Sequence, residues 1–224
     1  MTTVDVAAFT EFERTGWNHV VDGYHRFLGP VTARAVGPLL DAAGVGPGSS
    51  VLDIATGPGY VAGGAAARGA EVVGVDISAE ILGLARRLHP GIRFQLADAA
   101  ELPFGSAEFD AVVAGFLVPH LADHDSALAE FRRVLKPGGT VALSTWGSPE
   151  RVPLLGLVGA AVAAAGATAP PELPSGPPFF QYSDEEILTG LLCNAGLTAV
   201  ELGTHSFVHR VPSADALWDG VLAG

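Results

Sequence analysis

Between residues 49 and 146, apolar runs of strand length alternate with helix-like stretches, and the joints between them are short. VLDIA (51–55), EVVGVD (71–76), IRFQLAD (92–98), FDAVVAGF (109–116) and TVALSTW (140–146) read as five strands. YVAGGAAARG (60–69), SAEILGLARRLHP (78–90) and DHDSALAEFRRVLKPGG (123–139) read as helices. Ser78 is suited to an N-cap, Pro90 lies beyond the second helix, and Pro137 with two glycines is read as stopping the third. FDAVVAGF is almost continuously hydrophobic, as a strand buried on both faces must be. Strand–helix–strand repetition forces right-handed crossovers, which predicts an α/β fold with a doubly wound, Rossmann-like, mostly parallel sheet. Ligands on such sheets sit outside the carboxyl ends of the strands, so the loops after residues 55, 76, 98 and 114 are expected on one rim.

The 224 residues suffice for a single domain spanning 1–224. Within it, 1–48 is read as N-terminal helices forming a lid, 49–146 as the binding core, and 147–224 as substrate-side helices with a final strand region. VPLLGLVGAAVAAAGATAPP (152–171) carries no charge. Its Ala/Gly composition and flanking prolines favour a buried helix over a membrane span. TAPPELPSGPPFFQY (168–182) must be a loop. SDEE (183–186) resembles a capping box with Ser183 at the N-cap, and Gly196 closes that helix. LTAVELGTHSFVHRV (197–211) reads as one long strand, or as a hairpin folded at Gly203-Thr204.

A net charge of -12 and the lack of any basic run argue against nucleic acid as a partner. The one cysteine, Cys193, excludes an internal disulfide and is read as a small core residue. A reducing cytoplasmic setting follows, consistent with an N-terminus that has no apolar signal region. No cysteine/histidine set has metal-ligand spacing, so no metal is expected.

Gly57-Pro-Gly59-Tyr-Val-Ala62 satisfies G-x-G-x-x-A, and Asp76 closes the next strand, a pattern shared with dinucleotide sites. Asp53 separates the ligands. A carboxylate at the strand end costs electrostatic energy beside a pyrophosphate but favours the ammonium and sulfonium of S-adenosyl-L-methionine (SAM). Asp76 suits both ribose hydroxyls. Asp98 suits the adenine amine, with the Ala99 amide available to a ring nitrogen. The alternative for each aspartate is a simple turn cap.

Residues 49–146 resemble a class I SAM-dependent methyltransferase of the ubiquinone/menaquinone-biosynthesis-like, small-molecule branch. VLDIATGPGY resembles its first motif, VVGVDIS its acidic second-strand motif, FQLADAAELPF its adenine-contact stretch, and FDAVVAGFLVPHL with FRRVLKPGGTVALSTW its later motifs. The resemblance implies that Ala55, Gly57 and Gly59 line the methionine end, Ile77 packs on adenine and the Ala114 carbonyl takes the ammonium. Ala55 departs from the family's usual glycine, which a negative φ would make harmless.

Methyl transfer needs alignment above all, and a base where the acceptor must lose a proton. His120, after the fourth strand, is the candidate base; the competing reading is a histidine that pins its loop. Tyr24 is a candidate cofactor contact and His25 a weaker candidate base, both from the lid, or plain core. Trp17 is assigned to packing, and His124 to a solvated helix start. Phe179, Phe180 and Tyr182 form the expected acceptor wall.

The expected activity is methyl transfer to O, N or C of a small metabolite, as in secondary metabolism, leaving S-adenosyl-L-homocysteine. The alternative is a SAM-fold protein that binds a ligand or promotes cyclisation without methylating. A nicotinamide-dependent oxidoreductase would have to bind its cofactor despite Asp53. Related proteins continue with a further helix and a last antiparallel strand where ADALWDGVLAG stops. An absent last strand would bare a sheet edge, which motivates a homodimer.

Overall fold

The structure, a computed structural model, describes residues 4–168, 170 and 172–223. Four N-terminal helices, α1 (Val6–His19), α2 (Val21–Arg26), α3 (Gly29–Thr32) and α4 (Val36–Ala42), lead into the alternating core. There follow β1 (Ser50–Ile54), α5 (Tyr60–Ala67), β2 (Glu71–Asp76), α6 (Ala79–Leu88), β3 (Arg93–Leu96), β4 (Phe109–Gly115), α7 (His124–Val134) and β5 (Leu135–Ser144). Helices α8 (Pro153–Ala164), α9 (Glu185–Asn194) and α10 (Ala214–Ala223) complete the described chain.

The five strands form one sheet in the order β3-β2-β1-β4-β5, and every pairing is parallel. Strand order reverses between β1 and β4. Side chains alternate across the sheet as the pleat requires. Leu52, Ile54, Val112 and Ala114 face Leu128, Phe131 and Val134 of α7. Val51, Ala111 and Val113 face Leu39 and Leu40 of α4 and Ala65 of α5. Helices thus cover both faces, and the doubly wound Rossmann-like sheet expected from the sequence is the one observed.

Ser78 caps α6 as expected, accepting from the Ile81 amide. Several boundaries differ. The third core helix ends at Val134, not near Gly139, because Leu135–Gly139 join β5 alongside β4 after a register shift between Phe109 and Ala111. The cap of α9 is Asp184, one residue after Ser183, and its carboxylate accepts from the Glu186 and Ile187 amides. The uncharged 152–171 stretch does form a helix, α8, but none of its residues is buried. Ala169 and Pro171 lie outside the described residues. No strand forms over 197–211, most of which is exposed; alternation alone cannot supply a partner strand. Cys193 is exposed, on the outward face of α9, not in the core.

Candidate functional site

The chain leaves β1 in a sharp turn. Ala55, Gly57 and Gly59 all have positive φ, at 52°, 54° and 83°. The negative φ that would make Ala55 harmless is not found: its methyl group sits in the left-handed region, at a cost of about 1 kcal/mol. The turn is held by Thr56, whose amide donates to the Val75 carbonyl at 2.9 Å and whose own carbonyl accepts from Gly59 at 2.9 Å. A Cβ on Gly59 would lie 2.9 Å from both His89 and Phe94, so close packing of α5 over β3 also demands glycine.

Asp53 is 1% exposed. Its Oδ2 accepts from the Thr56 hydroxyl at 2.6 Å and the Ala62 amide at 2.9 Å, while Oδ1 has no partner among the described residues. Burial pushes its pKa up to about 7, with the neighbouring Asp76 charge acting in the same direction. Asp76, also buried, accepts from the Gly57 amide at Oδ2 and the Ser78 amide at Oδ1, each at 2.9 Å. Burial raises it to about 6 against those hydrogen bonds. Asp98 Oδ1 accepts from the Ala100 amide at 2.9 Å. All three aspartates thus cap the turn that follows, and Asp76 ties the first loop to the second.

A cavity of about 40 Å³ opens where strand order reverses, which is where such sheets bind ligands. Ala55, Thr56 and Gly57 of the first loop, Gly115 and Phe116 after β4, and Tyr24 of α2 are among its walls. Of the expected site residues, Tyr24, Ala55 and Gly57 meet there. Asp53 lies beneath the loop and Gly59 behind it. Ala114 is fully buried one residue short of the rim, and Gly115 takes the lining position. Ile77, Asp98 and Ala99 follow the ends of β2 and β3 and do not line the cavity. An unpartnered buried carboxyl oxygen under a loop of left-handed backbone suits a cationic ligand and repels a phosphate, so these residues fit SAM.

The N-terminal helices are tied to three rim loops. Asn18 of α1 accepts from the Ser78 hydroxyl at 2.7 Å. His25 Nδ1 and the Tyr60 hydroxyl, 2.6 Å apart, share a hydrogen bond with the rings stacked. His120 Nδ1 lies 3.0 Å from Glu13 Oε2, which also accepts from the Trp17 indole at 3.0 Å. Because a carboxylate only accepts, Nδ1 carries a proton, and in the neutral imidazole Nε2 is then the acceptor. The Trp17 ring meets both Tyr24 and His120 edge-on, so it joins the two rather than merely filling space.

Glu13, Tyr60 and Phe116 were not legible as site residues. Phe116 adopts φ 59° and packs on Trp146, a bulky side chain in a strained turn at the cavity wall. His124 is not solvated: its Nε2 bonds the Val118 carbonyl at 2.9 Å, and burial lowers its pKa. Tyr182 is 6% exposed against His124, which removes it from the expected acceptor wall and leaves Phe179 and Phe180. Among the described residues no cluster could hold a metal ion, and no helix is long and apolar enough to cross a membrane.

Residues 52–143 match the methyltransferase domain family. A protein of Mycobacterium tuberculosis (strain ATCC 25618 / H37Rv), described only as uncharacterized, is 35% identical over 82% of this chain and 67% of its own. The demethylmenaquinone methyltransferase of Renibacterium salmoninarum is 39% identical over 50% of this chain and 47% of its own, so the chain spans about half of that enzyme. In fold, a Haloferax volcanii protein solved in complex with the Trm112 methyltransferase activator superposes with a TM-score of 0.65 at 21% identity, covering 92% of this chain and 84% of its own. Matching loop, matching sheet and matching relatives converge: the chain belongs to the class I SAM-dependent methyltransferases, whose cofactor is S-adenosyl-L-methionine.

Proposed function

We propose that the chain methylates a small-molecule metabolite at an oxygen or nitrogen that loses a proton on reaction, with His120 as the base. The Glu13–His120 pair carries this reading, because it engages Nδ1 and leaves Nε2 outside that hydrogen bond, while Trp17 links His120 to Tyr24 at the cavity wall. When bound, SAM supplies a methyl group already activated on a sulfonium. Asp76 would hold the ribose, Asp98 and Ala99 the adenine, and Ile77 its face. Asp53, through its unpartnered oxygen, and the backbone of Ala55 and Gly57 would favour the cationic methionine end, with the Ala114–Gly115 backbone nearby.

His120 Nε2 would take the proton that the acceptor loses on methylation. Its proton then passes to solvent. Glu13 fixes the imidazole tautomer and stabilises the cation that forms. Tyr24 and Trp17 close the site from the N-terminal helices, which act as a lid and keep water out. His25, engaged with Tyr60, is a latch of that lid rather than a second base.

Calorimetry with SAM and S-adenosyl-L-homocysteine, on wild type and Asp76→Ala, tests the cofactor seat; micromolar binding lost in the variant is the expected result. Incubation with methyl-labelled SAM and a panel of phenols and amines tests transfer. Binding without transfer to any of them would favour a SAM-fold protein that no longer methylates.

A further inference from the structure

A second pocket lies beside the first and is built differently. It has a volume of about 280 Å³, is partly open, and is lined by Phe27, Leu155, Val158, Phe179, Phe180 and Val221 with their neighbours. No charged or polar side chain lines it among the described residues. We infer that this pocket binds the apolar body of the methyl acceptor, a neutral ring compound of roughly naphthalene size carrying one reactive hydroxyl or amine. The inference rests on the methyl-transfer reading above.

Three observations carry it. First, Phe179 belongs to the pocket wall and also packs edge-on against His120, with ring centroids 5.8 Å apart. One ring therefore separates the pocket from the base, so an acceptor seated in it can present its polar end past Phe179. Second, α8 is entirely uncharged yet has no buried residue. Leu154, Leu155 and Val158 turn towards the pocket and remain only partly covered. A helix this apolar gains about 25 cal/mol for each Å² it removes from water, and an apolar ligand here would cover that surface. Third, α10 passes the pocket at Gly220, where any Cβ would run into the Phe27 ring. That glycine lets α10 approach and wall off the pocket while Phe27 stays in place.

Size and chemistry narrow the ligand. The volume falls just under the usual 300–1,000 Å³ of small-molecule sites, which admits one or two fused rings and not a long chain. A carboxylate or phosphate inside would be desolvated without a partner. The charged cofactor and the neutral acceptor thus have chemically separate seats, and Phe179 links the second of them to His120.

The test uses the full chain and 1-naphthol as probe, titrated by calorimetry with and without saturating S-adenosyl-L-homocysteine. Wild type is expected to bind it at tens of micromolar, and Val158→Trp, which fills the pocket, at least tenfold more weakly. Leu155→Trp, one turn earlier on α8, should do the same. Both variants should keep wild-type affinity for S-adenosyl-L-homocysteine, which shows that they fold. If one does not, the other and the milder Val158→Met, with a smaller loss, take its place. 1-Naphthalenesulfonate, the same ring bearing a charge, should not bind. Wild type that ignores 1-naphthol, or binding that survives both tryptophans, overturns the inference. Naphthol binding lost in the variants, without any binding of S-adenosyl-L-homocysteine to wild type, supports the pocket and removes the methyl-transfer reading instead.

Discussion

The core around the parallel sheet and the segment after β5 are both rich in apolar residues, but they use them in opposite ways. In β1, Val51, Leu52, Asp53 and Ile54 are all buried, and β4 and α7 supply Val112, Val113 and Phe131. After β5, α8 and α9 contain no buried residue, and Leu157, Trp218 and Leu222 are 62%, 61% and 68% exposed. The difference separates two tasks. Apolar residues in the core fix the strand ends and hence the loops; after β5, Leu191 and Leu192 of α9 still pack on that core, but those of α8 stay available and help line the proposed acceptor pocket.

The sharpest way to break this comparison is to truncate one residue on each side. Phe131→Ala should destabilise the chain by about 3–5 kcal/mol in chemical denaturation, whereas Leu157→Ala should cost no more than about 0.5 kcal/mol. Comparable losses would mean that α8 is core after all. Asp76→Ala removes the acceptor for two backbone amides on two loops. It should weaken SAM binding by at least about a hundredfold in calorimetry, combining the lost ribose contact with a loosened loop.

The buried carboxylates also impose a pH dependence. Their folded pKa values, about 7 for Asp53 and about 6 for Asp76, lie above the unfolded value near 4. From about pH 4 to 7 the folded state therefore retains protons that the unfolded chain has released. The stability these groups contribute is full below pH 4 and is lost as pH rises through the folded values. A cationic ligand reverses the preference by favouring the ionised forms. SAM affinity should rise by about tenfold from pH 6 to 8, and Asp53→Asn should flatten that rise. The smallest effect is expected at the first turn. Ala55→Gly should raise stability by about 1 kcal/mol by relieving the left-handed methyl, seen as a higher denaturation midpoint.

How legible each region was follows from the same physics. β1, β2 and β4 could be read because burial on both faces leaves near-unbroken apolar runs, and those runs put Asp53, Asp76 and Asp98 near the carboxyl ends of β1, β2 and β3. The α7–β5 junction could not, since Leu-Lys-Pro-Gly-Gly reads as a helix stop and gives no sign that β5 already runs beside β4 there. In α8, an Ala/Gly-rich helix without charges, no periodicity distinguishes a buried face from an open one. Residues 197–211 alternate as a strand would, but a strand needs a neighbour and alternation does not specify one. Glu13 had no local signal at all. It is one of two acids on α1, and its partnership with His120, 107 residues away, exists only in the fold.

The three ties between the N-terminal helices and the rim bear on any affinity that will be measured. A cavity of about 40 Å³ is well below the usual size of a small-molecule site, so under the proposed lid role those helices would move as the cofactor enters. Part of the intrinsic binding free energy is then consumed in parting Asn18 from Ser78, His25 from Tyr60 and Glu13 from His120. The observed dissociation constant is therefore the product of two equilibria, opening and capture, and opening alone sets how fast the product can leave.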